Sequence, residues 1–194
     1  MSNQPEVTND QVRDFVIAGH GDLTKVIAML ADHPELLNIP YEWNPDDHET
    51  ALQGAVQTGS TEITEYLLAQ GSPLDICTAA MLGRNQEVEG FLEADPTLAN
   101  AVGAHGTPIL PLAAWSGNLA LLKLLEERGA KSGAALALFN AVSRGNDQVA
   151  QWLLENLELD LSEQNYQGKT VLAVAVERQQ EAIVHMLREH GATE

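Results

Sequence analysis

The sequence predicts an all-α solenoid of about six helix–turn–helix repeats. Three observations carry that reading. Short apolar runs alternate with glycine-marked breaks throughout the 194 residues. Residues 165–192 (a polar turn, VLAVAV, a polar break, EAIVHMLREHGA) recur in frame at 107–130 and 50–75. The opening segment also reappears 62 residues later, with Gly21 mapping to Gly83, Leu30 to Leu92, Pro34 to Pro96, Leu36 to Leu98 and Asn38 to Asn100. Each repeat has a small inner helix, a glycine and a longer outer helix. Such a unit cannot bury its apolar face alone and needs copies of itself alongside.

The elements follow in order. Residues 1–8 read as a polar tail, and 9–194 as one domain. Asn9 or Asp10 can cap a first helix carrying Val12, Phe15, Val16 and Ile17. A second helix carries Val26, Ile27, Met29 and Leu30 and stops before Pro34, since proline cannot continue it. Breaks then fall at Gly59, Gly83, Gly117, Gly145 and, in place of glycine, Gln179. Gln179 holds a left-handed backbone at a cost of roughly 1 kcal/mol, or its loop is rebuilt. The alternating long and short intervals give three 62-residue pairs of repeats. Long finger loops are expected only before repeats two, four and six, at 39–50, 99–107 and 160–170. Thr107 to Gly117 is one residue longer than Thr50 to Gly59. Pro108 and Pro111 therefore leave two registers open for Trp115, one facing a partner and one filling core. Trp152 shares a slot with Tyr66 and Leu124 and reads as core by its apolar period.

The clearest repeat residues are Thr107-Pro108, Ala113-Ala114, Gly117, Leu124-Leu125 and Gly129-Ala130. With these the sequence resembles the ankyrin-repeat family, over nearly all its length. The resemblance implies partner binding through a concave groove lined by the fingers and the inner helices. It places the two positions before each break in that groove, among them Gly19 and His20, Gln57, Met81 and Leu82, Trp115, Arg144 and Arg178. The fingers add Trp43, Asp46, Asp47, His48, His105 and Tyr166.

The net charge is −18 and it is uneven. Residues 1–97 hold 17 acidic and three basic residues, whereas 98–194 hold 11 and seven. No Lys or Arg stands between Lys25 and Arg84. Such a field disfavours nucleic acid and anionic lipid, and it favours a basic protein partner if it is more than a solubilising surface. No apolar run is long enough to span a membrane. The N-terminus lacks a basic-then-apolar leader. One cysteine, Cys77, cannot form an intramolecular disulfide, so a reducing, cytoplasmic setting is expected; the sequence leaves the oligomeric state open, with a monomer favoured.

Chemistry is thinly represented. Cys77 lies in an apolar helix start and reads as a small buried hydrophobe. Neither a phosphate-binding glycine loop nor a nucleophile elbow is present. His185 and His190 are five apart, off the four-residue spacing that aligns ligands on one helical face. Asp46-Asp47-His48-Glu49 lacks calcium-loop spacing. No catalytic residue, cofactor or metal is therefore expected. The function read from the sequence is protein recognition. Its alternatives are a small-ligand or catalytic protein on a helical scaffold, and a self-associating structural module.

Overall fold

The computed structural model describes residues 7–193; the tail predicted at 1–8 lies largely outside them. Twelve α-helices occur among the described residues, in six consecutive pairs. The chain divides into two compact units. The first comprises residues up to 78 together with 103–106, and the second comprises 79–102 together with 107 onward.

In the first unit, α1 (Asn9–Gly19) begins on a reciprocal cap. The Thr8 hydroxyl accepts from the Gln11 N–H, and the Gln11 side chain accepts from the Thr8 N–H. Helix α2 (Leu23–Asp32) is capped by Asp22, whose carboxylate accepts from the Lys25 N–H at 2.9 Å. It ends before a 3-10 turn at Pro34–Asn38. Strands β1 (Tyr41–Asn44) and β2 (Asp47–Glu49) follow, then α3 (Ala51–Gln57) and α4 (Thr61–Gln70). Phe15, Val16, Val26, Leu36, Ala51, Ala55 and Leu67 form the fully buried centre. Gly19 is required there, because a Cβ would run into the backbone of Ala51. Ile17 and Ile27, expected on apolar faces, are both exposed.

The first finger is therefore a strand pair rather than a loop. Tyr41 pairs with Glu49, Glu42 with His48 and Asn44 with Asp47, and the register slips at Trp43. Such a bulge twists the ribbon and re-aims the extra side chain. At the tip the Asn44 side chain accepts from the Asp46 N–H at 3.1 Å, an Asx turn.

Helix α5 (Ile76–Met81) carries the division between the units. The second unit continues with α6 (Asn85–Ala94), α7 (Ile109–Ser116), α8 (Leu119–Glu127), α9 (Ala134–Arg144), α10 (Asp147–Asn156), α11 (Val171–Glu177) and α12 (Glu181–Glu189). A second 3-10 turn, Pro96–Asn100, repeats the one at Pro34–Asn38, as the 62-residue mapping expects. The other two fingers carry single bridges, Val102 to Pro108 and Gln164 to Thr170.

The extra residue ahead of Gly117 is absorbed at the start of α7. Pro108 takes the cap position that Thr50 and Thr170 hold in α3 and α11. Pro111 falls in the first turn, where a missing N–H costs no helical bond. Its carbonyl accepts from the buried Asn140 side chain at 2.8 Å. The helix end stays in frame, with Gly117 at φ 70° beside Gly59 at 68°. Trp115 is accordingly half-buried, not core. Trp152, Tyr66 and Leu124 do share a burial level, but all three are half-buried, so the core reading of Trp152 is corrected.

Successive repeats are joined by one recurring hydrogen bond. At four of the breaks, the residue that follows reaches back to a carbonyl at or just past the end of the previous inner helix. Ser60 donates to the His20 carbonyl at 3.4 Å within the first unit. Asn118 donates to Gly83 at 3.1 Å, Asn146 to Ala114 at 3.0 Å and Gln180 to Val142 at 2.8 Å within the second. A Cβ on Gly117 would stand 2.6 Å from the Asn146 side-chain oxygen. Gln179 keeps the left-handed backbone of its glycine counterparts, at φ 56°, and is exposed.

These facts set two expectations for urea unfolding. Gln179→Gly relieves strain and raises stability by about 1 kcal/mol or less, the gain being offset by glycine's extra freedom when unfolded. Gly117→Ala introduces strain and displaces Asn146, and lowers stability by about 2 kcal/mol or more. Equal responses at the two positions would disprove the account of the slot.

Candidate functional site

The base of the first finger gathers the most unusual chemistry. Thr50 and Gln53 form a reciprocal cap that fixes the start of α3. Glu49, one residue earlier, is thereby pinned inside, with 0 % of its surface exposed. An ionised carboxylate so placed costs several kcal/mol unless partners surround it. Three side chains do. The Trp43 indole N–H donates to Oε2 at 3.0 Å. His20 Nε2 and His105 Nε2 each lie 3.3 Å from Oε1. At that distance Oε1 has ion-pair contacts but no well-directed hydrogen bond.

Each histidine is held by its other nitrogen. His20 Nδ1 lies 3.0 Å from the Val16 carbonyl. His105 Nδ1 lies 2.7 Å from Asp47 Oδ2. Both partners are acceptors, so both Nδ1 atoms carry a proton and both Nε2 atoms face Glu49. Glu49 as acceptor for an Nε2 proton holds His20 above the ordinary histidine range, against the opposing effect of burial. The His20 ring also lies against Gly54, where a Cβ would come within 2.7 Å of it. His105 is placed by a left-handed backbone, φ 54° and ψ 24°, in the Ala104–Gly106 turn. That conformation is uncommon outside glycine and persists where surroundings enforce it.

Above this base the finger exposes Glu42, Pro45, Asp46 and His48. Trp43 is 39 % exposed and meets Tyr41 edge-on, with ring centroids 4.8 Å apart. The indole thus does two jobs: it packs within its own hairpin and keeps a face in water.

In the second unit, the Arg144 guanidinium lies over the Trp115 ring, 5.2 Å from its centroid. This is cation–π geometry. Tyr166 is 95 % exposed at the tip of the third finger. Its turn is set by Asn165, which accepts from Gln167 and Lys169 N–H groups, and by Gly168 at φ 72°. Arg178 is exposed at the end of α11.

Among the residues singled out from the sequence, Asp46, His48, Tyr166, Arg144 and Arg178 are exposed, and Gln57, Leu82 and Trp115 are half-buried. Asp47 is turned inward to His105. Met81 is 1 % exposed and is corrected from groove to core. It has no polar group to hold it in water and enough torsions to turn inward. The cluster itself was not assembled from sequence. The sequence places His20 only by its slot before Gly21, and Glu49 only in the acidic Asp46–Glu49 run beside Trp43. The histidines that were weighed as a pair are separately engaged, His185 with Glu189 and His190 with the Met186 carbonyl. Cys77 is buried, which pushes its thiol up to about 12 and keeps it out of the thiolate form.

A family model of three ankyrin-repeat copies matches residues 110–193, and a single ankyrin-repeat model matches 47–79. The chain belongs to the ankyrin-repeat family. It is 27 % identical over 142 residues to an I-Kappa-B like protein F1 of Microplitis demolitor bracovirus, covering 69 % of this chain and 85 % of that protein. It is 33 % identical over 135 residues to a putative ankyrin repeat-containing protein of Treponema pallidum. That match covers 65 % of this chain but only 45 % of the longer relative. In ankyrin terms, the cluster sits where the first finger meets the inner helix of the preceding repeat. No described helix is long and apolar enough to cross a membrane.

Removing the buried carboxylate should be costly. Glu49→Ala strands the Trp43 N–H and is expected to lower stability by about 1–3 kcal/mol in chemical denaturation. Asp46→Asn, at the exposed tip, should stay within about 0.5 kcal/mol of the parent. Comparable losses from both would contradict the pinned role of Glu49.

Proposed function

We propose that this ankyrin-repeat protein is a recognition module without catalytic chemistry, and that its first finger docks a basic segment of a protein partner. The observation that carries the reading is the rigid hairpin of β1 and β2. It presents Glu42, Asp46 and a half-open Trp43 from a base clamped by Glu49. A preorganised finger loses little freedom on binding. The charge distribution supports a cationic partner, since no Lys or Arg lies between Lys25 and Arg84. The open face of Trp43 suits a Lys or Arg side chain, worth about 0.5–1 kcal/mol at an exposed site. Rim carboxylates add on-rate and selectivity more than affinity.

The second unit offers a different surface, in which Trp115 is already covered by Arg144. The single buried cysteine suits a reducing, cytoplasmic setting. Family membership and the names of both relatives support binding over catalysis; neither relative is named for a reaction.

The test is capture of a partner from native lysate with the whole chain as bait, at low and high salt. A folded Trp43→Ala, Asp46→Lys variant runs beside it. One stoichiometric protein is expected, reduced at least tenfold by salt and by the variant. Capture that resists both, or that is lost only on Trp115→Ala, would overturn the hairpin as the docking element.

A further inference from the structure

We propose that His20, Glu49 and His105 form a binding site for a divalent transition-metal ion, with Zn²⁺ the best chemical fit. The three ligand atoms, both Nε2 and Glu49 Oε1, lie within 4.8 Å of one another. Two of the three separations are 3.3 Å. A tetrahedral zinc ion with ligands at about 2.0–2.1 Å holds neighbouring ligand atoms about 3.3–3.4 Å apart. Those two edges already have the length that coordination requires.

The hydrogen bonds on the far side of each ring make the stronger argument. With Nδ1 directed to Val16 and Asp47, each ring aims its Nε2 at Glu49 Oε1. A metal ion would replace the second proton of an imidazolium there, taking an Nε2 lone pair from each ring and one carboxylate oxygen together. Holding a ligating histidine by its second nitrogen, through a carbonyl or a carboxylate, is the usual outer-shell device of metal sites. Both forms occur here, Val16 behind His20 and Asp47 behind His105.

Independent features point the same way. Glu49 Oε1 is buried and meets only the two Nε2 atoms, at 3.3 Å and without well-directed hydrogen-bond geometry, so it is aimed into the cluster. His105 reaches the cluster only by holding a left-handed backbone. Gly54 leaves the space that the His20 ring fills. Imidazole nitrogen with one carboxylate suits zinc, whereas calcium and magnesium ask for oxygen ligands. Both histidine side chains remain 32 % exposed, which leaves a side open for a fourth ligand such as water. The ion would join α1, the first finger and the Ala104–Gly106 turn, three segments distant in sequence.

The test uses the whole chain without a histidine tag, stripped with chelator, and titrated with Zn²⁺ by calorimetry and with Co²⁺ by visible absorption. One ion per chain is expected, with intense tetrahedral-type cobalt bands and a rise in the thermal midpoint on adding Zn²⁺. His20→Gln, His105→Gln and Glu49→Gln should each weaken binding at least 100-fold. Asp47→Asn, which replaces the carboxylate held by His105 Nδ1, should weaken it by about 10–100-fold. His48→Gln and His185→Gln should leave it unchanged. His105 lies on an exposed turn, so its variant keeps the test decisive if Glu49→Gln fails to fold. Folded parent protein with no saturable one-to-one binding would overturn the site, as would binding that survives His20→Gln and His105→Gln. Because the readout is metal affinity, it is independent of whether the hairpin captures a partner.

Discussion

The structure depends on the carbonyls at the ends of its inner helices. The last carbonyls of any helix lack an internal donor. Here the Gly83, Ala114 and Val142 carbonyls, at or just past the ends of inner helices, accept from Asn118, Asn146 and Gln180 of the following repeat, and Ala114 and Val142 accept in addition from the Gly117 and Gly145 N–H groups. Ser60 does the same, more loosely, for His20. Each bond is worth only about 1 kcal/mol. Its larger effect is geometric. A short donor fixed at the start of an outer helix sets where the preceding inner helix must end, so the spacing between repeats is specified by polar contact as well as by packing. The same bond explains the glycine of the slot at Gly117, where both the positive φ and the neighbouring Asn146 exclude a side chain.

That dependence explains what could be read in advance. Glycine breaks, the 62-residue recurrence and the Pro34 and Pro96 turns are backbone constraints, and such constraints leave a direct mark on residue type. The finger positions were legible for the same reason. The hairpin inside the first finger was not. Only Tyr41 and Trp43 alternate with polar residues, a run too short to mark a strand before Pro45, and the hairpin is completed by a bulge, an Asx turn and the aromatic pair. Met81 was misread because a slot fixes where a side chain begins and not where a flexible one ends.

The cluster illustrates the harder case. His20, Glu49 and His105 come from a helix end and two fingers, and no spacing rule links them. Each occupied a recognisable slot: His20 before the first break, and Glu49 and His105 just before Thr50 and Thr107. Laying adjacent fingers beside the preceding inner helix would have brought the three positions together. What the repeat frame could not supply was direction, because that comes from Gly54, from the Asp47 carboxylate and from the unusual backbone of His105.

The Trp43–Glu49 hydrogen bond has a practical consequence. Indole emission responds to charge near the pyrrole nitrogen, and here that nitrogen is bonded to a buried carboxylate while one face of the ring meets water. The chain has two further tryptophans, Trp115 and Trp152. With both replaced by phenylalanine, the remaining indole becomes an intrinsic optical probe whose colour and intensity report the electrostatic state of the finger base in real time, without a label.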